Sequence, residues 1–332
     1  MAQIELSVDL GSKFITIYQR GIGLVLREPA IALAEKNGDK YVIREAGYRA
    51  ESIMSTSLGG ARVIAPVKEG LIADDEMFVL LLKHFLKKIL PSGLVPPRVS
   101  AIVSVACSMT GGDRRAVEKC FVKAGVKDVT LVESPLSLLA YTGSIGGLFL
   151  DIGGGKTEVA AVTNRGIACG VTVNIAGDAF NAAIIDDIYM NYGVKLGEYT
   201  VEKIKTSALS FYLNDEGSYA VSGGGRDGAP KSVAITAADM RDAVLPLVDD
   251  IIEVVMNVLD DTPPELSAEI LRKGIFLTGG SARIPGLKEY LEQAFELPLT
   301  HLQDGPSSVA IGGAKFLEDK RFLSDLLGIK LD

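Results

Sequence analysis

The residues best placed to do chemistry lie in Gly147–Val162, GLFLDIGGGKTEVAAV. An apolar run ends in Asp151, three glycines follow (Gly153, Gly154, Gly155), then Lys156 and Thr157, then a second apolar run. Consecutive glycines let backbone N–H groups converge on an anion with no Cβ in the way. A carboxylate at the end of the first run is placed to hold a hydrated Mg²⁺ beside a phosphate. The same residues would also serve as a hairpin with a flexible tip. Two familiar phosphate motifs fail. A Walker A loop needs Gly where Leu150 stands, and a dinucleotide fingerprint needs Gly where Glu158 stands. Both require a helix after the loop, and TEVAAVT has the short β-branched character of a strand.

The chain carries a second version of this stretch near its start. VDLGSKFITIYQRGI (8–22) matches LDIGGGKTEVAAVTNRGI (150–167): a strand ending in Asp (Asp9, Asp151), Gly two residues on (Gly11, Gly153), a β-rich run, then Arg-Gly-Ile. Repetition at this scale predicts two similar domains. Two Asp-ended loops facing each other across a cleft would grip a nucleotide di- or triphosphate.

The elements that must position these loops follow from periodicity. Strands are expected at 3–9, 14–20, 99–107 and 129–133, and helices at Gly111–Ala124 and from Pro135. Asp74 and Asp75 precede an amphipathic helix with Phe78, Leu81, Leu82, Phe85 and Ile89 on one face and Lys87 and Lys88 near its end. Further helices are expected from Asp178 to Tyr192, from Thr200 to Tyr212, and from Thr236 or Ala237 to Leu259 with Thr236 and Asp239 at its start. Glu202 and Lys205 share a helical face, and a solvated ion pair is the plainest reading of them. The stretch SGGGRDGAPKS (222–232) reads as a turn-rich surface loop. A third glycine site, Gly279-Gly280-Ser281, follows a strand and would admit a flat ring or a phosphate. Residues 307–319 read as a closing helix.

At 332 residues, the length predicts two or more domains. Hydrophobic residues make up 48%, and mean hydropathy is +0.27, enough for a large core. A net charge of -8 without a long basic run argues against nucleic acid as a partner. Cys107, Cys120 and Cys169 form no CxxC pair and fit reduced core residues of a cytosolic protein. With only His84 and His301, the sequence argues against a His-based metal site or a Ser-His-Asp triad. The chain begins directly with a strand and shows no signal-peptide pattern. No apolar run reaches the ~18 residues needed to span a bilayer. The loop 91–97 carries Leu94 and Val95, either tucked under the preceding helix or exposed as a tip that enters lipid.

In order and spacing these motifs resemble the actin and heat-shock-chaperone ATPase superfamily, and more closely the MreB family of bacterial actin-like cell-shape proteins. Further stretches carry the likeness: REPAIALA (27–34), PVKEGLIADDEMF (66–78), VTVNIAGDAFNAAIID (171–186), YGVKLGEYTVEKIK (192–205) and DDTPPELSAEILRKGIFLTGG (260–280). The resemblance implies an α/β fold of two duplicated domains around a nucleotide cleft, each with a small subdomain. The first domain would span 1–143, with an insert at about 31–64, and be completed by 307–332. The second would span 144–306, with an insert at about 181–235. ATP or ADP with Mg²⁺ would be held by Asp9, Gly11, Ser12 and Lys13, by Asp151, Gly153, Gly154, Gly155, Lys156 and Thr157, by Gly177 and Asp178, by Glu202 and Lys205, and by Gly279, Gly280 and Ser281. Asp9 and Asp151 would reach the metal through water. Leu94 and Val95 would form a membrane-inserting loop, while the amphipathic N-terminal membrane helix of some relatives is missing.

The resemblance further implies self-assembly into protofilaments on the inner face of the cell membrane, with cell-wall synthesis or other morphogenetic proteins as partners. The hydrolytic positions depart from the family. Ser134 replaces the water-positioning Glu, Lys156 replaces a Thr after the glycines, Phe14 and Ile15 replace Asn and Thr, and Asn181 replaces a carboxylate. Slow or absent hydrolysis is therefore expected. The alternative is a non-polymerising regulator or scaffold with a degenerate nucleotide site. A chaperone-like ATPase is disfavoured because little chain follows the last helix, and a metabolic kinase because no catalytic Asp can be placed.

Overall fold

The computed structural model describes residues 3–38, 40–53, 61–93 and 96–327. Two five-stranded mixed sheets form its frame. The first contains β1 (Gln3–Leu10), β2 (Phe14–Gln19), β3 (Gly23–Pro29), β4 (Arg98–Val105) and β5 (Asp128–Glu133). The second contains β6 (Gly146–Ile152), β7 (Thr157–Thr163), β8 (Gly166–Val173), β9 (Ile275–Thr278) and β10 (Leu299–His301). Their strand orders, β5-β4-β1-β2-β3 and β8-β7-β6-β9-β10, are mirror listings of one topology. In each, a hairpin meander pairs antiparallel, and the first strand also pairs parallel with a later one. The sequence repeat is thus a repeat of the whole sheet.

β1 and β6 are central strands, buried along nearly their whole length. That explains continuous apolar runs where a half-exposed strand would alternate. Each run ends in its Asp at the strand's carboxyl end, where the chain leaves the sheet for a glycine loop. The first sheet packs on the helices Asp75–Ile89 and Gly111–Ala124 through Phe78, Phe85 and Phe121. The second packs on the helices Gly177–Tyr192 and Ala237–Asp260 through Phe180, Val244 and Ile251. Asp74 caps the first of these helices by accepting from the Met77 amide, and Thr236 with Asp239 forms a reciprocal capping box at the start of the last.

Two expectations need correction. The helix expected over Thr200–Tyr212 runs from Glu198 to Ala208, and Leu209 already has extended backbone. Residues 209–212 instead pack beside Pro285, whose carbonyl accepts from the Phe211 amide. The glycine-rich stretch 222–232 is not a loop but most of an antiparallel hairpin, Ser218–Gly225 with Pro230–Thr236. Its glycines permit close approach of the short strand Val194–Lys195, because a Cβ on Gly223 would strike the Lys195 carbonyl. A second small sheet joins Ala32–Asn37, Lys40–Ala46 and Arg62–Ile64. Leu94 and Val95 lie outside the described residues.

The helix Ser308–Glu318 returns to lie against β1 and the helix Ser134–Thr142. Gly312 and Gly313 make this possible. A Cβ on Gly312 would collide with the Ser137 carbonyl, and one on Gly313 with the Ser7 hydroxyl. Because the first obstacle is backbone, it cannot rotate away. Gly312→Ala is expected to destabilise the fold by about 1–3 kcal/mol through overpacking, read as a lowered urea midpoint. An unchanged midpoint would show that the two helices are free to separate.

Candidate functional site

The two glycine loops meet over a cavity of about 360 Å³ between the sheets. Asp9 and Asp151 form part of its lining, as do Gly11, Ser12, Lys13, Gly153, Gly154, Gly155 and Lys156. The loops touch. A Cβ on Gly155 would fall 2.6 Å from the Ser12 hydroxyl, and one on Gly154 would overlap the Lys13 stem. Only glycine allows this approach at either position. Within the second loop the Gly153 amide donates to the Lys156 carbonyl, and the amides of Gly177 and Asp178 donate to the carbonyls of Gly153 and Gly154. In the first loop the Gly11 amide donates to the Phe14 carbonyl. Among the described residues, the amides of Ser12, Lys13, Gly154 and Gly155 donate to no protein acceptor. Clustered unspent N–H groups on glycine-rich turns fit phosphate oxygens.

The floor of the cavity concentrates charge. Burial, reinforced by the like charge of Asp151, pushes the Asp9 carboxyl up to about 7 from an ordinary 3.8. Burial likewise pushes Asp151 up to about 6. The Lys156 charge lowers both of these acids, and its Nζ lies 3.0 Å from Glu158 Oε2, whose side chain is only 2% exposed. Burial works against that ammonium, but Glu158, Asp151 and Asp9 outweigh it and hold it above the usual lysine range. Glu158 also accepts from the Cys107 amide of the first half. Two acids whose charged forms burial disfavours, and a cation would favour, suit a divalent ion carried in with phosphates.

At the other end, the third glycine site and the helix Glu198–Ala208 form the wall. Gly279 takes φ of +100° and lies against the Asp151 carboxylate and the Ile152 carbonyl, where a Cβ would clash. The Ser281 hydroxyl donates 2.7 Å to the Gly153 carbonyl, tying the third site to the second loop. Lys205 is buried, not solvated as its spacing alone implies. Its Nζ donates to the Gly177 carbonyl at 2.8 Å and to Glu202 at 2.9 Å. Burial lowers its proton affinity in spite of Glu202. Asn181 donates to the same Glu202 carboxylate at 2.6 Å, so an amide takes the place of a second acid beside it. Ile284, Pro285 and Pro306 supply an apolar flank suited to a base, with Glu202 and Thr206 as polar neighbours suited to a sugar.

The expected residues Gly177, Glu202, Lys205, Gly279, Gly280 and Ser281 all line the cavity. Thr157 does not: it is 1% exposed and its hydroxyl donates to the Ile175 carbonyl, because in strand alternation it points opposite to Lys156. Asp178 also stays outside the lining. It forms a bridge to Lys13, Nζ to Oδ1 2.5 Å, that spans the two loops. Ser134 does line the cavity, but its hydroxyl donates to the Val105 carbonyl at 3.1 Å. The neighbouring Glu133 pairs with Arg114, so it cannot stand in for the missing acid. Thr16, Arg27 and Arg283 also line the cavity. Sequence reasoning passed over them because they sit outside the glycine motifs. The one available signal was strand register, which places Thr16 beside Asp9 and Arg27 beside Thr16.

Both cavity acids bind a proton more tightly in the folded chain than in the unfolded one. Between about pH 4 and 7 the folded state therefore holds more protons, and stability falls as pH rises through that window. Asp151→Asn is expected to flatten this slope and to stabilise the ligand-free protein by on the order of 1–3 kcal/mol at about pH 8. Urea titrations across the window check it, and an unaltered slope would show that Asp151 is not one of the titrating groups.

Comparison with known proteins agrees with this geometry. A family profile described as MreB/Mbl protein matches residues 3–325. The cell shape-determining protein MreB of Escherichia coli K12 is 32% identical over 324 residues, 95% of this chain and 93% of that protein. The cell shape-determining protein Mbl of Bacillus subtilis is 31% identical over 324 residues, 95% of this chain and 96% of that one. The crystal structure of MreB5 of Spiroplasma citri bound to AMPPNP superposes with a TM-score of 0.88 at 27% identity, covering 99% of this chain and 100% of that one. The ADP-bound form gives 0.85 at 28% identity over 96% and 97%. A MamK double helical filament, 19% identical with a TM-score of 0.82 over 96% and 99%, shares the actin-like fold. By its sequence and by the duplicated frame that carries the site, the chain belongs to the MreB/Mbl family.

Proposed function

We propose that the chain is a cytoskeletal protein of the MreB type that clamps an adenine nucleotide between its halves, assembles into filaments, and hydrolyses the nucleotide slowly or not at all. The observation that carries this is the pair of facing loops, whose amides at Ser12, Lys13, Gly154 and Gly155 are unspent beside two acids that burial raises to about 7 and about 6. The nucleotide-bound state of MreB5 supports ATP or ADP as the ligand. When bound, Mg²⁺ would be held by Asp9 and Asp151 through water and would neutralise phosphate charge.

This chain's own residues then act as follows. The loop amides orient the phosphates, Lys156 adds a positive charge beside them, and Gly279 and Gly280 let the adenosine side approach closely. Lys13 with Asp178, and Glu69 accepting at 2.7 Å from Asn174, hold the two halves together over the site. Ser134 does not take a proton from water, because its hydroxyl is already committed to a backbone carbonyl.

Filament formation draws support from the likeness to a protein solved as a double helical filament. We further propose a peripheral position on the inner face of the cell membrane, with Leu94 and Val95 entering lipid and morphogenetic proteins as partners. Among the described residues no helix is long and apolar enough to cross a membrane. The proposed division into 1–143 with 307–332 and 144–306 draws support from the helix Ser308–Glu318, which packs on β1 and on the helix Ser134–Thr142.

Sedimentation with and without ATP, run beside phosphate release, tests this reading. Nucleotide-dependent pelleting with very slow release is expected, and Ser134→Glu should raise release about tenfold or more by restoring a carboxylate near the site. Brisk turnover by the wild type, abolished by Asp151→Ala, would contradict the claim of weak hydrolysis. Soluble protein under every nucleotide condition would favour a non-polymerising scaffold.

A further inference from the structure

Arg27 lies outside both glycine loops, on β3, yet its side chain lines the cavity. Register explains how. Asp9 on β1 pairs with Thr16 on β2, and Thr16 pairs with Arg27 on β3, so the three occupy one row across the sheet. All three line the cavity. The second sheet has the equivalent row Asp151, Glu158 and Thr172. There the extra charge is an acid, and Lys156 meets it at 3.0 Å. In the first row the extra charge is a cation with no such partner.

The guanidinium is held without being spent. Its central carbon lies 4.1 Å from the centroid of the Phe14 ring, which follows Lys13 in the first loop. Stacking on an aromatic face fixes the plane of the fork while leaving its N–H groups free. Among the described residues the Arg27 side chain forms no ion pair and donates no hydrogen bond. Five donors on a rigid, always charged plane facing a cavity match a phosphate, which accepts two parallel hydrogen bonds from one arginine. The position within the cleft narrows the choice of phosphate. The loop amides suit the inner phosphates, and the adenosine wall belongs to the second half, at Gly279–Ser281 and Lys205. Arg27 stands in the same row as Asp9 on the first sheet, whereas that wall is built by the second half.

We propose that Arg27 grips the terminal phosphate of a nucleoside triphosphate and so sets the preference of the cleft for triphosphate over diphosphate. The proposal rests on the nucleotide-binding reading above and adds to it a reader for the group that distinguishes the two nucleotides. Phe14 acquires a role as well: it gives up polar contact to phosphate and supplies the platform that aims Arg27.

The test is calorimetric titration of the full chain with AMPPNP, with ADP, and with ADP plus orthophosphate, in the wild type, Arg27→Gln and Arg27→Lys. The ratio of AMPPNP to ADP affinity is expected to fall about tenfold in Arg27→Gln, the size of one lost charge-assisted contact. Arg27→Lys keeps the charge but not the fork, and should fall between. Its circular dichroism and melting temperature also serve as the folding control should Arg27→Gln prove unstable. A ratio within about twofold of the wild type in both variants, with both nucleotides still bound, overturns the proposal alone. Failure of the wild type to bind either nucleotide overturns the nucleotide reading, and the proposal with it. If orthophosphate tightens ADP binding only when Arg27 is present, and AMPPNP affinity does not depend on Arg27, the arginine reads a free phosphate and the proposal is again wrong.

Discussion

Two carboxylates, Asp9 and Asp151, are buried at the ends of the two central strands and face one cavity. Placing like charges together in a dry site is unfavourable unless protonation or a cation relieves it. Nearly every other feature of the cleft answers that constraint. Lys156 puts an ammonium near the acids, Glu158 partners the ammonium, and a backbone amide from Cys107 in the opposite half binds Glu158. These contacts therefore link the second sheet to the first half through Glu158 and the Cys107 amide.

The same constraint separates binding from turnover. The glycines, the two acids and the wall formed by Gly279–Ser281 and Lys205 all line one cavity. On the proposed reading, what differs is the means to activate water: Ser134 donates to a backbone carbonyl, Glu133 pairs with Arg114, and Lys156 places a positive charge beside the glycine loops. A resident cation offsets phosphate charge without supplying a base. Across the cleft, Lys13 of the first loop pairs with Asp178 of the second half. Both side chains of that pair are partly exposed, so solvent screens it, and it depends on both partners remaining charged.

Much of this was legible in the residues. The matched Asp-Gly spacings and Arg-Gly-Ile endings predicted a duplication, and the duplicate strand orders of the two sheets are its physical form. Helix starts at Thr236 and after Asp74 were legible because capping is local chemistry. Other features escaped because their causes are not local. The hairpin Ser218–Thr236 hid behind glycines whose use becomes clear only when Val194–Lys195 approaches. Thr157 belongs to the glycine motif by sequence, but strand alternation turns it toward Ile175. Arg27 is distant in sequence from both loops, and only cross-strand register brings it to the cavity. The burial of Lys205 was likewise invisible from its i, i+3 spacing to Glu202.

The most direct measurement of the central claim counts protons. Calorimetric titration of the protein with Mg²⁺ and ADP at about pH 6.5, repeated in buffers of different ionisation enthalpy, gives the number of protons exchanged on binding. If Asp9 and Asp151 are the protonated acids of the cleft, with affinities near 7 and 6, they must ionise as the metal and phosphates arrive. Release of about one proton per nucleotide is expected, falling toward none as the pH rises past about 8. Binding with no proton release at pH 6.5 would mean that the two acids already stand ionised, and that the buried charge cluster does not govern the site.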